Sequence, residues 1–158
     1  MSALPASAQK VQDAAAALGL EIVVREMTEP TRTAEEAAAA CGVTVGQIVK
    51  SLVFCGADSG KPYLVLVSGA NRANEKGVAV HLGERLKRPD ADAVRTLTGY
   101  AIGGIPPFGH VTPLATYMDR DLLQYEVIWA AAGTPKAVFR TEPDRLREAT
   151  NATVIDVK

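Results

Sequence analysis

Two short apolar runs constrain the fold more than any other feature of the sequence. Val49–Cys55 ("VKSLVFC") and the stretch "KPYLVLVSG" (61–69) are rich in β-branched and aromatic residues. Only "ADSG" (57–60) and a flanking glycine separate them. Each run is too short for a buried helix, and the polar, glycine-bearing link is turn chemistry, so the pair predicts a hairpin of two buried strands. Apolar side chains on both faces of a strand require cover on both faces, which puts these strands at the centre of a sheet.

The rest of the chain supplies that cover. Ala8, Val11, Ala15 and Leu18 recur at helical spacing, with Ser7 as a candidate N-cap and Gly19 as the stop. "EIVVRE" (21–26) predicts a strand. "TAEEAAAACG" (33–42) predicts a helix, because Thr33 and Glu36 have capping-box spacing and Gly42 can close the C-terminus. A helical turn then leads into the first central strand. Beyond Asn71 the pattern predicts a helix near 74–82, an edge strand around Arg85–Arg88, and a helix from Asp90 to Leu97 stopped by Gly99. After residue 110 come a strand in "PLATYMD" (113–119), a helical turn in "DLLQYE" (121–126) and strands in "EVIWAAAG" (126–133) and "VFRTE" (138–142). A helix with Pro143 in its first turn and a closing strand in "TVIDV" (153–157) complete the order. Hairpins mixed with helices predict a mixed α/β fold, a mixed sheet flanked by helices, within one domain spanning 1–158.

Charge and composition exclude some functions. With 17 basic and 18 acidic side chains the formal net charge is −1, so there is no global basic field for non-specific DNA binding. No run approaches membrane-spanning length, and the opening "MSALPASAQKVQDAAAALGL" lacks a charged-then-apolar leader pattern. These features predict a cytoplasmic protein with no membrane partner. Cys41 and Cys55 are not paired at CxxC spacing and read as buried small hydrophobes. Neither they nor His81 and His110 stand at metal-ligand spacing, so no metal or other cofactor is expected.

The segment "AIGGIPPFGH" (101–110) is unusual. Its prolines remove backbone donors and its glycines carry an entropic cost, so it is neither a helix nor a central strand. It lacks the glycine spacing of a Rossmann turn and the lysine of a P-loop, and no GxSxG elbow occurs anywhere. The loop reads either as a connecting turn or as a rigid wall. Lys50, among apolar neighbours in "QIVKSLVF", reads either as a solvated strand-end lysine or as a charge at the mouth of a cavity.

"VGQIVKSLVF" (45–54), taken in order with "GYAIGGIPPFGH" (99–110), resembles the YbaK/EbsC family. These proteins are free-standing relatives of the editing domain of bacterial prolyl-tRNA synthetases. The resemblance covers almost the whole chain and rests on Lys50 and a GxxxP loop, here Gly103, Gly104, Ile105, Pro106 and Pro107. Many members carry Ser where this chain has Pro106. The resemblance implies a curved, barrel-like mixed sheet and hydrolysis in trans of a small amino acid mischarged onto tRNA, with tRNA-Pro the usual context. It makes Lys50 the catalytic residue. Gly103, Gly104, Ile105, Pro106, Pro107, Gly109 and His110 become the substrate-binding segment. The implied partners are the acceptor end of an aminoacyl-tRNA and an aminoacyl-tRNA synthetase.

The chemistry suits such residues. An aminoacyl ester is already activated, so orienting the nucleophile and donating hydrogen bonds to the developing oxyanion supply the needed acceleration. For His110, a capping or packing role competes with substrate contact. Arg72, Lys76, Arg85, Lys87 and Arg88 form either a tRNA-steering patch or a solvated face interrupted by Glu75 and Glu84. Tyr100 and Trp129 are candidates to stack an adenine, with core packing the competing role for Trp129. A non-catalytic module binding an aminoacyl-tRNA, a nucleotide or a synthetase is the alternative to an enzyme.

Overall fold

The computed structural model describes residues 4–158; Met1–Ala3, with which the stretch read for a leader and the predicted domain begin, lie outside the described residues. Five helices and a mixed sheet alternate along the chain. The helices are α1 (Ala6–Ala17), α2 (Ala34–Cys41), α3 (Glu75–Leu82), α4 (Ala91–Thr98) and α5 (Pro143–Thr150). The strands are β1 (Arg25–Glu26), β2 (Ile48–Gly56), β3 (Pro62–Ser68), β4 (Leu86–Lys87), β5 (Ala115–Asp119), β6 (Ile128–Ala131), β7 (Ala137–Thr141) and β8 (Thr153–Ile155).

The central hairpin forms as its composition predicts. β2 and β3 pair antiparallel from Val49–Ser68 to Cys55–Pro62, in the middle of the strand order β1-β7-β6-β2-β3-β5-β8. Tyr63 through Ser68 are all buried, because helices pack on both sheet faces. One face carries Val65, Val67 and Phe54 against Val78 of α3. The other carries Leu64 and Leu66 in the cluster that holds Val11 of α1, Val94 of α4 and Leu146 of α5. Truncating a fully buried leucine such as Leu64 to alanine costs about 2–5 kcal/mol. Glu84 secures the hairpin turn: its carboxylate accepts from the Asp58 and Ser59 amides, the Ser59 hydroxyl and the Tyr63 hydroxyl. Those donors, Ser59 foremost, hold its pKa down at about 2.

Local signals at helix ends act as expected, with one exception. Thr33 and Glu36 close a reciprocal capping box, and Gly42 takes the left-handed conformation that ends α2. Ser7 is not the N-cap of α1; Pro5 occupies that position and Ser7 lies inside the first turn.

Two expectations about the sheet need correction. "EIVVRE" forms a ladder only at Arg25–Glu26, against β7. Before it, Ile22 and Val24 are buried, but their backbone is served by the Gln12 side chain, which donates to the Ile22 carbonyl and accepts from the Val24 amide. A side-chain amide from α1 thus replaces a strand partner. Among the described residues the sheet is also not a closed barrel: its path ends at β1 and β8, which do not pair with each other.

Candidate active site

β2 runs along β3 for its whole length, but its other edge is shared. β6 pairs with it in parallel only at Ile48 and Val49, and β4 pairs with it only at Cys55 and Gly56. Residues 50–54 therefore have no strand partner on that edge among the described residues. Where β2 and β6 part, a cleft of about 370 Å³ opens, a volume in the range of small-molecule sites. Its walls are Val49–Leu52 of β2, Trp129–Ala131 of β6, Thr31–Glu35 leading into α2, and Ile102, Gly103 and Ile105 of the glycine-proline loop.

Both walls flanking the sheet rest on one turn, between β6 and β7. Gly133 donates its amide to the Gly104 carbonyl at 2.8 Å, and Thr31 donates both its amide and its hydroxyl to the Pro135 carbonyl at 2.8 Å. A Cβ on Gly104 would stand 2.9 Å from the backbone of Gly133 and Thr134, so the loop seats only because that residue is bare. Gly103 has φ +98°, a conformation that L side chains rarely adopt. Its amide donates to no acceptor among the described residues.

Lys50 is the third residue of β2 and lies half-buried at the cleft wall, donating from Nζ to the Asn71 carbonyl at 2.5 Å. Burial pulls its pKa below the ordinary lysine range and Arg72 adds to that, while Glu35 and Asp119 oppose it. Next to it, the Ser51 hydroxyl is buried in the cleft wall with no hydrogen-bond partner among the described residues. Trp129 forms part of the cleft floor and is packed with Ala34, Ala37 and Ile48 beneath α2.

The structure brings together only part of the predicted set. Lys50, Gly103 and Ile105 line one cleft. Gly104 does not line it; its amide donates to the Ala101 carbonyl and its role is the close approach to Gly133. Pro106, Pro107, Gly109 and His110 do not line the cleft; Pro107, Gly109 and His110 line a separate hollow. Pro106 and Pro107 are buried, and His110 donates from Nε2 to the Pro106 carbonyl at 2.7 Å. Burial lowers the His110 pKa, so the neutral imidazole braces the loop. Tyr100 is buried in the core rather than in the cleft, and Arg88 and Glu75 form an ion pair at 3.1 Å on the surface. Sequence reasoning missed Arg32, Glu35, Ser51 and Asn71. A periodic pattern marks none of them, and only the capping box pointed towards the α2 start.

The chain also resembles known proteins. Residues 28–149 match the model of the aminoacyl-tRNA editing domain. A solved structure described as a candidate trans-editing enzyme for prolyl tRNA synthetase superposes with a TM-score of 0.93 at 50% identity, covering 99% of each chain. A candidate Cys-tRNA(Pro)/Cys-tRNA(Cys) deacylase, EbsC of Enterococcus faecalis, is 28% identical over 134 residues, 82% of this chain and 79% of that one. A proline–tRNA ligase of Limosilactobacillus fermentum is 31% identical over 104 residues, 63% of this chain but 18% of the ligase.

Proposed function

Since the chain belongs to the aminoacyl-tRNA editing domain family, we propose that it is a cytoplasmic trans-editing deacylase that removes a small, wrongly attached amino acid from tRNA. The reaction breaks the bond between the acyl carbon and the ribose oxygen. It consumes one water and returns the free amino acid and an intact tRNA 3′ end.

The observation that supports this reading is the convergence of Lys50 and Gly103, from segments fifty residues apart, on one cleft between parted strands. Lys50 supplies positive charge towards a phosphate or the oxyanion that develops on the ester. The free Gly103 amide is a second donor, held by a loop whose anchoring on Gly133 limits reorganisation. Ile105, Val49 and Ala130 make the inner surface apolar, which suits a short side chain. The cleft is larger than a short acyl group needs, leaving room for the adjoining ribose. Arg32 at the mouth is suited to an acceptor-end phosphate. Binding alone separates amino acids differing by a methylene by about 1–3 kcal/mol, which is why a second hydrolytic site is useful to a synthetase.

The test is a panel of tRNAs, tRNA-Pro first, charged with alanine, cysteine, serine or threonine and followed for release of the amino acid. We expect at least one to be deacylated, and Lys50→Ala to lower kcat/KM by on the order of 10²–10³-fold, the effect of losing one oxyanion-stabilising group. Binding of the panel without release would favour a non-catalytic module. Lys50→Ala with wild-type kinetics would remove the proposed role of the lysine.

A further inference from the structure

The cleft lysine is oriented from outside the cleft. The Lys50 ammonium is tied to a neutral carbonyl, that of Asn71, and makes no ion pair with a carboxylate among the described residues. A neutral acceptor fixes direction without cancelling charge, so the ammonium remains available to an anionic partner.

That carbonyl is itself held firmly. Asp119, at the end of β5, is 1% exposed. Its Oδ2 accepts from the Ser68 amide at 3.0 Å and from Asn71 Nδ2 at 2.8 Å, and its Oδ1 accepts from the Asp121 amide at 2.9 Å. Asn71 Nδ2 also donates to Asp121 Oδ2 at 2.8 Å, and the Asn71 amide donates to the Ser68 carbonyl at 2.9 Å. Both side-chain hydrogens of Asn71 and its backbone amide are therefore engaged. A buried carboxylate is costly unless fully hydrogen-bonded, and here it is bonded largely to the turn that presents the lysine's acceptor.

We propose that Asp119 and Asn71 are positioning residues for Lys50: the carboxylate locks the Ser68–Asn71 turn, and the turn's carbonyl aims the ammonium along the cleft wall. The assignment rests on the functional reading of Lys50 given above. Other charged groups facing the ammonium are Glu35 of α2 and Arg72, which follows Asn71. Freed from Asn71, the ammonium would move towards Glu35 or solvent.

A double-mutant cycle tests this, with deacylation of the mischarged tRNA identified by the panel as readout. Asn71→Ala keeps the carbonyl but removes both side-chain bonds; Asp119→Asn keeps the shape but loses the charge. Each alone is expected to lower kcat/KM by on the order of tenfold to a hundredfold, the scale of a misplaced catalytic group. On a Lys50→Ala background neither should lower it more than about twofold, because the group being positioned is gone. Equal losses on both backgrounds, or single variants at wild-type rate, overturn the proposal. Where Asp119→Asn fails to fold, Asn71→Ala alone carries the cycle. A second readout needs no substrate: the Lys50 titration, followed by NMR on protein carrying ¹³C-methylated lysines. In Asn71→Ala its midpoint should rise towards the ordinary lysine value as the ammonium gains solvent. An unmoved midpoint overturns the positioning role. Full activity of Lys50→Ala together with a moved midpoint would instead refute the catalytic reading and leave the structural link intact.

Discussion

The two halves of "AIGGIPPFGH" behave differently although they are contiguous in sequence. In the first half Ile102, Gly103 and Ile105 line the cleft, with Ile102 61% exposed and the Gly103 amide unpaired among the described residues. In the second half Pro106, Pro107 and Phe108 are buried, and His110 hydrogen-bonds back to the Pro106 carbonyl. Beneath them lies a separate hollow lined by Pro107, Phe108 and Gly109, with Ala149 and Thr150 of α5 opposite. A stiff wall needs a footing, and here one short segment provides both. A motif contiguous in sequence is therefore not a contiguous site, and the two halves should fail differently when altered.

The largest effect is expected at Gly104, which seats the loop against the β6–β7 turn. Gly104→Ala forces a Cβ against backbone at 2.9 Å, and overpacking of this kind costs about 1–3 kcal/mol. Because the loop must lift from the β6–β7 turn, both the thermal midpoint and kcat/KM should drop. Loss of stability with unchanged kinetics would show that the loop's seating does not matter for the reaction. Next comes Gly103→Ala, which meets only the Arg32 side chain but pays the left-handed backbone penalty of about 1–2 kcal/mol. Its kinetic loss should exceed what its modest destabilisation explains, since the misplaced amide belongs to the cleft.

The footing should show the reverse behaviour. His110→Gln is expected to cost about 1 kcal/mol through the altered bond to Pro106, with kcat/KM near wild type. A large kinetic defect in that variant would return His110 to the site. Its pH signature sharpens the point. The folded-state pKa lies below the ordinary value of 6.5, so the unfolded chain binds more protons as the pH falls. The stability contributed by neutral His110 is fully present above about pH 6.5 and is lost as pH falls towards the folded pKa. Thermal midpoints measured across that window should decline in the wild type and flatten in His110→Gln. The smallest effect is expected at Glu84, far from either half. Its pKa of about 2 means that its contribution is present above the ordinary 4.5 and is lost as the pH falls through about 2. Glu84→Gln should remove that acid-sensitive part of the melting curve and leave deacylation untouched.

Much of this molecule could be read locally. The central hairpin follows from two β-branched runs and a polar turn, and the α2 start from Thr33 and Glu36. Lys50 and Gly103 stood out as an ordered pair only through the resemblance to the YbaK/EbsC family; the residues by themselves left a solvated lysine and a connecting turn as alternatives. Asn71, Asp119 and Ser51 carried no such mark. Single polar residues near strand ends have neither periodicity nor a fixed spacing to one another. The contacts that tie Asn71 to Lys50 and Asp119 to Asn71 and Ser68 span 21, 48 and 51 residues of sequence. Gln12 escaped notice for the same reason: nothing in a helical pattern shows that one amide will stand in for a strand.

Sequence alone determined most of the strands and helices, "EIVVRE" excepted, and that the central hairpin is buried on both faces, because propensity, capping and hydrophobic period act between near neighbours. Tertiary structure decided where β2 and β6 separate, which half of the loop faces the opening, and which carbonyl receives the lysine. Those outcomes depend on distances between segments remote along the chain. They arise only when the packed sheet forces those segments to share space.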